Sequence, residues 1–109
     1  MVIIVEKESF MSAIPIQKTL SKEELYTLIQ NYQKNHDQKS KEMIILSNTK
    51  LVLSLMKRFY QKSNHYEDLF QVGIVGLIKA VDHFDTNYQL QFSTYAVPLI
   101  IGEMKRYLR

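Results

Sequence analysis

Apolar residues recur at helical spacing along most of the chain, and little is present that would turn a β-hairpin. Leu25, Leu28, Ile29 and Tyr32 fall at i, i+3, i+4 and i+7, which places them on one helix face. Ser21 and Glu24 precede that run with the spacing of a capping box, so a helix of about 14 residues is expected to open at Ser21 and end at His36-Asp37. Asp37 is then placed to cap a second stretch, QKSKEMIILSNTKLVLSLMKRFYQK. Its apolar face comes from Met43, Ile44, Leu46, Leu51, Val52, Leu55, Met56 and Phe59. Ser47-Asn48-Thr49 weakens the middle, because short polar side chains compete for backbone hydrogen bonds. One bent helix and two successive helices both fit. Only three Gly and two Pro occur in 109 residues, which argues against an all-β or Rossmann architecture.

After a break at Ser63-Asn64-His65 comes YEDLFQVGIVGLIKAVDHF. On a helix, Leu69, Gly73, Gly76, Leu77, Ala80 and Phe84 share one side. Two glycines three apart, each unfavourable inside a helix by about 1 kcal/mol, point to close approach of another helix backbone. The opposite side carries Asp68, Gln71, Val75, Ile78, Lys79 and Asp82, half apolar although it faces outward. Such a stripe suits either a partner or burial in a crowded bundle. A polar connector, DTNYQLQ (85–91), leads to Ser93, the expected cap of a last helix, TYAVPLIIGEMKRYLR. Pro98 falls in its first turns, where it removes the amide that would bond Thr94. The expectation is an all-α, compact bundle of four to five helices over 21–109, preceded by an irregular arm over 1–20, where Pro15 blocks a helix through IPIQK.

The composition, 46% apolar and 23% charged, is that of a folded chain. There is no Cys, so disulfides and thiolate metal sites are excluded. MVIIV is apolar but short, lacks a preceding basic region, and is followed by Glu6, Lys7 and Glu8; no run reaches the roughly 20 residues of a membrane span. No membrane role and a cytoplasmic location are expected. His36, His65 and His83 lack partners at metal-ligand spacing, and no phosphate-binding GxxxxGK[ST] or GxSxG elbow is present. No catalytic residue, metal or cofactor is expected.

Charge is uneven. Residues 31–62 hold seven Lys or Arg against two Asp or Glu, whereas the last third joins an acidic front (Glu67, Asp68, Asp82, Asp85) to a basic tail (Lys105, Arg106, Arg109). Such asymmetry fits nucleic acid on one face and protein on another, and also a plain solvated surface. Ahead of the tail lies FSTYAVP (92–98). Aromatic faces at Phe92 and Tyr95, hydroxyls at Ser93 and Thr94, and the cations beyond are the groups that hold an extruded base. Stacking a base on an aromatic ring contributes roughly 1–3 kcal/mol, comparable with the about 1.4 kcal/mol stored in a DNA base-pair step. One ring can offset one unstacked step.

The run EDLFQVGIVGLIKAVDHFDTNYQLQFSTYAVPLIIGEMKRYLR (67–109) closely resembles region 2 of bacterial sigma-70 family factors, the specificity subunits of RNA polymerase. Its YAVPLIIGEMKRYLR is nearer the sporulation and general-stress class, of the sigma-F and sigma-G kind, than the housekeeping class. NTKLVLSLMKRF (48–59) is similar to the family's preceding helix. The resemblance implies a non-enzymatic role in transcription initiation. Asp68, Gln71, Ile74, Ile78 and Asp82 would meet the β′ clamp of core polymerase. Tyr95 would stack on the flipped adenine of the promoter −10 element, with Phe92 and Thr94 as walls and Ser93 beside them. Two tryptophans of housekeeping members are replaced by Pro98 and Leu99, so strand separation would be less efficient or depend more on polymerase. Gly102 and Lys105 match positions that read the upstream edge of the element, and Gly102 has no side chain to read with. Lys105, Arg106 and Arg109 would bind phosphate. Partners implied are core polymerase, the single-stranded non-template −10 strand and an anti-sigma protein. Family members continue past region 2 into domains that include the −35 reader, so the sequence is either a fragment cut at a domain edge or region 2 of a split factor whose remaining domains lie on a separate chain. The alternative is a regulatory module that occupies polymerase or an anti-sigma protein and opens nothing.

Overall fold

The computed structural model describes residues 20–62 and 65–109; the expected arm therefore lies, but for Leu20, outside the described residues. Five α-helices follow in order: α1 Lys22–Asn35, α2 Gln38–Ser47, α3 Thr49–Met56, α4 Tyr66–His83 and α5 Phe92–Tyr107. A single 3-10 turn, Lys57–Phe59, ends α3, and no strand occurs among the described residues. The all-α bundle expected from the apolar period is what forms.

α1 begins as its sequence dictates. The Glu24 amide donates to Ser21 Oγ at 3.1 Å, and the Ser21 amide donates to Glu24 Oε1 at 3.1 Å, so both halves of the capping box are made. The helix ends at His36 in the left-handed region (φ 53°), whose amide donates to the Tyr32 carbonyl at 2.8 Å. Asp37 caps α2, its Oδ2 accepting from the amide and hydroxyl of Ser40 at 3.2 and 2.6 Å. Asn31 of α1 donates to both Asp37 Oδ2 and Ser40 Oγ, so buried Ser40 is fully used.

The choice left open by Ser47-Asn48-Thr49 falls to two helices in succession. Ser47 Oγ and Asn48 Nδ2 donate to the Ile44 carbonyl at 3.0 and 2.8 Å, and Thr49 Oγ1 donates to the Ile45 carbonyl at 3.0 Å. These side chains take carbonyls a continuous ladder would use, and Asn48 leaves helical geometry (φ −111°, ψ 10°). The resulting bend lets α3 pack on α4 and α5 as well as follow α2.

The core lies along α4 and α5. Leu69, Leu77 and Ala80 face Ile100, Met104 and Ala96, with Val52 and Met56 of α3, Ile44 of α2 and Ile29 of α1 closing the sides. Burying one such Leu, Ile or Met stabilises the fold by about 1.5–3 kcal/mol. The sequence pattern placed a close helix approach at the two glycines of α4, and there the backbone of α5 comes nearest: a Cβ on Gly76 would stand 2.6 Å from both Ile100 Cα and the Leu99 carbonyl oxygen. No helix of the described residues is long and apolar enough to cross a membrane.

Candidate nucleic-acid interface

Three layers set the start of α5. The connector is tied to α1: Gln30 Nε2 donates to Thr86 Oγ1 at 2.8 Å, and Tyr26 OH donates to the Leu90 carbonyl at 3.4 Å. Gln33 Nε2 donates to the carbonyls of Val81 and Phe84, both at 2.8 Å, satisfying the end of α4. Within the connector Asp85 Oδ1 accepts from the Asn87 amide at 2.9 Å, which forms the turn. Beneath it lies Phe84, 1% exposed and met by three rings: Tyr26 and Phe92, each edge-on with centroids 5.3 Å away, and Tyr95 at 5.5 Å.

That aromatic hub decides where α5 starts. The helix begins at Phe92, with Gln91 in extended backbone as the cap and no side-chain capping bond. Ser93, expected as the cap, is instead inside the first turn. Burial of Phe92 against Phe84 fixes the helix start more strongly than a hydroxyl cap, which contributes about 1 kcal/mol. The helix continues through Pro98 to Tyr107.

Of FSTYAVP, Phe92 and Ser93 share a recess. Phe92 is 2% exposed and belongs to the core, so its ring is not presented as an open wall. Its edge, with Ser93, Gln91, Asn48, Tyr26, Leu25, Lys22 and Leu20, lines a recess of about 280 Å³ beside α1. Thr94 is exposed and points elsewhere, as successive helical residues turn by about 100°. Tyr95 is half-buried and braced by Phe84, neither sunk in the core nor free to swing. Along α5 it shares a stripe with Leu99, Gly102 and Arg106, at i, i+4, i+7 and i+11. Leu99 is half-buried and Arg106 exposed.

The three cations of the tail separate into two groups. Arg106 Nη1 donates to Glu103 Oε1 at 3.1 Å, and Glu103 also accepts from Lys79 of α4. The Lys79 hydrogen bond holds the Glu103 carboxyl below the usual range; burial opposes this and Arg106 adds to it. Lys105 and Arg109 make no ion pair among the described residues. With Lys62 they surround a recess of about 290 Å³ floored by Phe59 and Leu108. Three cations around one recess favour negative charge there.

On α4, Asp68, Gln71 and Asp82 are exposed, Val75 is 44% exposed, and Ile74 and Ile78 are half-buried. Ile74 packs partly on the core, so only part of its surface faces out. Asp68 Oδ2 accepts from Tyr107 OH at 3.3 Å, which ties the start of α4 to the end of α5. Burial, then the Asp68 charge, pushes the Tyr107 phenol above its ordinary range. No group of three His, Asp or Glu side chains among the described residues is placed to hold a metal.

Sequence reasoning did not find Glu103, Lys62 or the exposed Tyr88 (62%) and Leu90 (45%) of the connector. An aromatic ring in a connector with no helical register was the signal for Tyr88. Arg106 three residues on was a local signal for an ion pair at Glu103, but the Lys79 partner, 24 residues away, was not.

Adjacent helices thus carry two differently built faces: an acidic and apolar stripe on α4, and a ring-and-cation stripe on α5. Both faces stand on neighbouring helices of one all-α domain. The Sigma-70 region 2 family model matches residues 44–109, and the chain belongs to that family. It is 44% identical over 98 residues to the RNA polymerase sigma-G factor of Bacillus subtilis (strain 168), which covers 90% of this chain and 36% of that protein. It is 48% identical over 90 residues to the RNA polymerase sigma-F factor of Bacillus licheniformis, covering 83% and 35%. To the sigma-B factor of B. subtilis it is 39% identical over 90 residues, covering 83% and 34%. The chain spans about a third of the length of these relatives. The resemblance to the sporulation and stress class agrees with them.

Proposed function

We propose that this chain supplies the region 2 function of a sigma factor in the cytoplasm, as a non-enzymatic partner of RNA polymerase. The outer stripe of α4, Asp68, Gln71, Ile74, Ile78 and Asp82 together with Val75, docks the core enzyme at its β′ clamp. The start of α5 captures the non-template strand of the −10 element, with a base stacked on Tyr95 and Ser93, Thr94 and Leu99 around it. Lys105, Arg106 and Arg109 hold phosphates, joined by Lys62. Phe92 supports from below, as part of the ring cluster that braces Tyr95.

The observation that carries this reading is the state of Tyr95: a ring fixed against Phe84 yet not fully buried, on a helix that ends in cations. A ring held in place loses little entropy on stacking, so most of the roughly 1–3 kcal/mol of a base–aromatic contact is realised as binding. Replacement of the housekeeping tryptophans by exposed Pro98 and half-buried Leu99 leaves no indole wedge. Strand separation therefore rests on capture by Tyr95 and on polymerase.

The test is Tyr95→Ala in an open-complex assay with core polymerase, this chain and separately supplied remaining sigma domains. Opening is expected to fall roughly tenfold or more, as loss of one stacked base implies, while core binding is unchanged. A regulatory module that only occupies polymerase uses the α4 face and has no need of Tyr95. Unchanged opening by Y95A would decide for that second role.

A further inference from the structure

The chain has three glycines, and internal packing accounts for two of them. A Cβ on Gly73 would stand 2.6 Å from Met104 Cε and 2.8 Å from Val52 Cγ1, and one on Gly76 would meet the backbone of α5. Gly102 is different. A Cβ built there meets nothing within 4 Å, and no glycine adopts a positive φ. Neither crowding within the domain nor backbone conformation calls for glycine at this position. Glycine also weakens a helix interior relative to alanine. The missing side chain faces outward, on the stripe that runs from Tyr95 through Leu99 and Gly102 to Arg106.

Read as a surface, that stripe is a ring, an apolar patch, a gap and a cation. The gap lies about 10 Å along the helix axis from Tyr95. The cation beyond it is held in place by Glu103, and Lys105 beside it and Arg109 just past the helix end make no ion pair among the described residues. Something that meets both the ring and the cation must cross the helix at residue 102. A partner with flat groups and regularly spaced negative charge fits that order; this is a nucleic acid strand.

We infer that Gly102 is a positioning residue, the seat at which the strand captured at Tyr95 crosses α5 in contact with the helix backbone. The inference rests on the strand-capture reading and extends it. A methyl group at 102 would lift the strand by about one carbon–carbon bond, ~1.5 Å, and the ring and the cation could no longer both be met. Gly102 thus contributes by what it leaves open, although it has no group to read a base.

The experiment compares Gly102→Ala, Gly102→Leu and Tyr95→Ala in the full chain bound to core RNA polymerase, with a short fluorescent A·T-rich DNA single strand as the probe. Strand affinity, core affinity and thermal midpoint are measured for each. G102A is expected to melt at or above the wild-type temperature and yet bind the strand more weakly. G102L is expected to lose roughly tenfold, the equivalent of one stacked base, with core affinity unchanged. If both Gly102 variants bind the strand normally while Y95A does not, the seat is wrong and strand capture stands. If all three bind normally, both fall. If the Gly102 variants lose core polymerase instead, the glycine seats a protein and the inference is overturned. A lower melting temperature for G102A would overturn it too, by showing that the position is packed internally.

Discussion

Glu103 holds two cations on one carboxylate, Lys79 from α4 and Arg106 from its own helix, with its side chain only 14% exposed. Its carboxyl is lowered in the folded state, chiefly by the Lys79 hydrogen bond. The stabilisation is therefore complete above the ordinary carboxylate range, where the unfolded chain is also ionised, and is lost as pH falls through the lowered folded value. Asp37 titrates in the same direction because Ser40 hydrogen-bonds to it. Lys79 is half exposed and Arg106 more so, so solvent screening limits the effect to about 1 kcal/mol at neutral pH. Chemical denaturation of Glu103→Gln across pH should show that deficit near pH 7. The gap to wild type should close in acid, below the folded carboxyl value. An equal gap at all pH values would mean that shape, and not charge, is what the position supplies.

At the scale of elements, the α4–α5 contact governs stability. Gly76→Ala puts a methyl 2.6 Å from the backbone of Leu99 and Ile100, which cannot yield without the helices separating. A destabilisation of about 1–3 kcal/mol is expected from overpacking, against a gain in helix propensity of about 1 kcal/mol. Gly73→Ala should cost less, because it meets side chains, the flexible end of Met104 and a methyl of Val52, where Gly76 meets backbone. Urea melts of the two variants check the order. The sequence reads this element well: two glycines at spacing three announce a close helix, and Ser21 with Glu24 announces the start of α1. The start of α5 is where local reading fails. A hydroxyl at Ser93 is visible in the string, but the anchoring of Phe92 on Phe84 is a tertiary contact, and it moves the boundary. The choice between one helix and two at Asn48 was half legible: Ser47-Asn48-Thr49 signalled a weakened ladder through local side-chain bonds, but which carbonyls they take is settled only in the fold.

Across the molecule, the described residues gather acids and cations in different places, with exposed Lys79 standing among the acids of α4. Glu67, Asp68 and Asp82 are exposed along α4, while Lys62, Lys105 and Arg109 gather around the recess at the end of α5. The sequence showed the basic tail and the acidic front. That Lys62 joins Lys105 and Arg109 across more than 40 residues follows only from the 3-10 turn after α3 lying against α5. Two kinds of strand contact should then respond differently to salt. A cation that neutralises a phosphate of a single strand contributes about 0.7 to the slope of log affinity against log salt. Removing Lys105 and Arg109 together should flatten that slope by roughly 1.4 and weaken binding alike for every sequence, since phosphates carry no sequence information. Tyr95→Ala should leave the slope where it was and lower affinity at all salt concentrations, because stacking releases no counterion. Titrations with core polymerase at several salt concentrations separate the two. A slope that the double variant leaves unchanged would place the phosphate contacts elsewhere, with exposed Lys62 and Arg106 the next cations to replace.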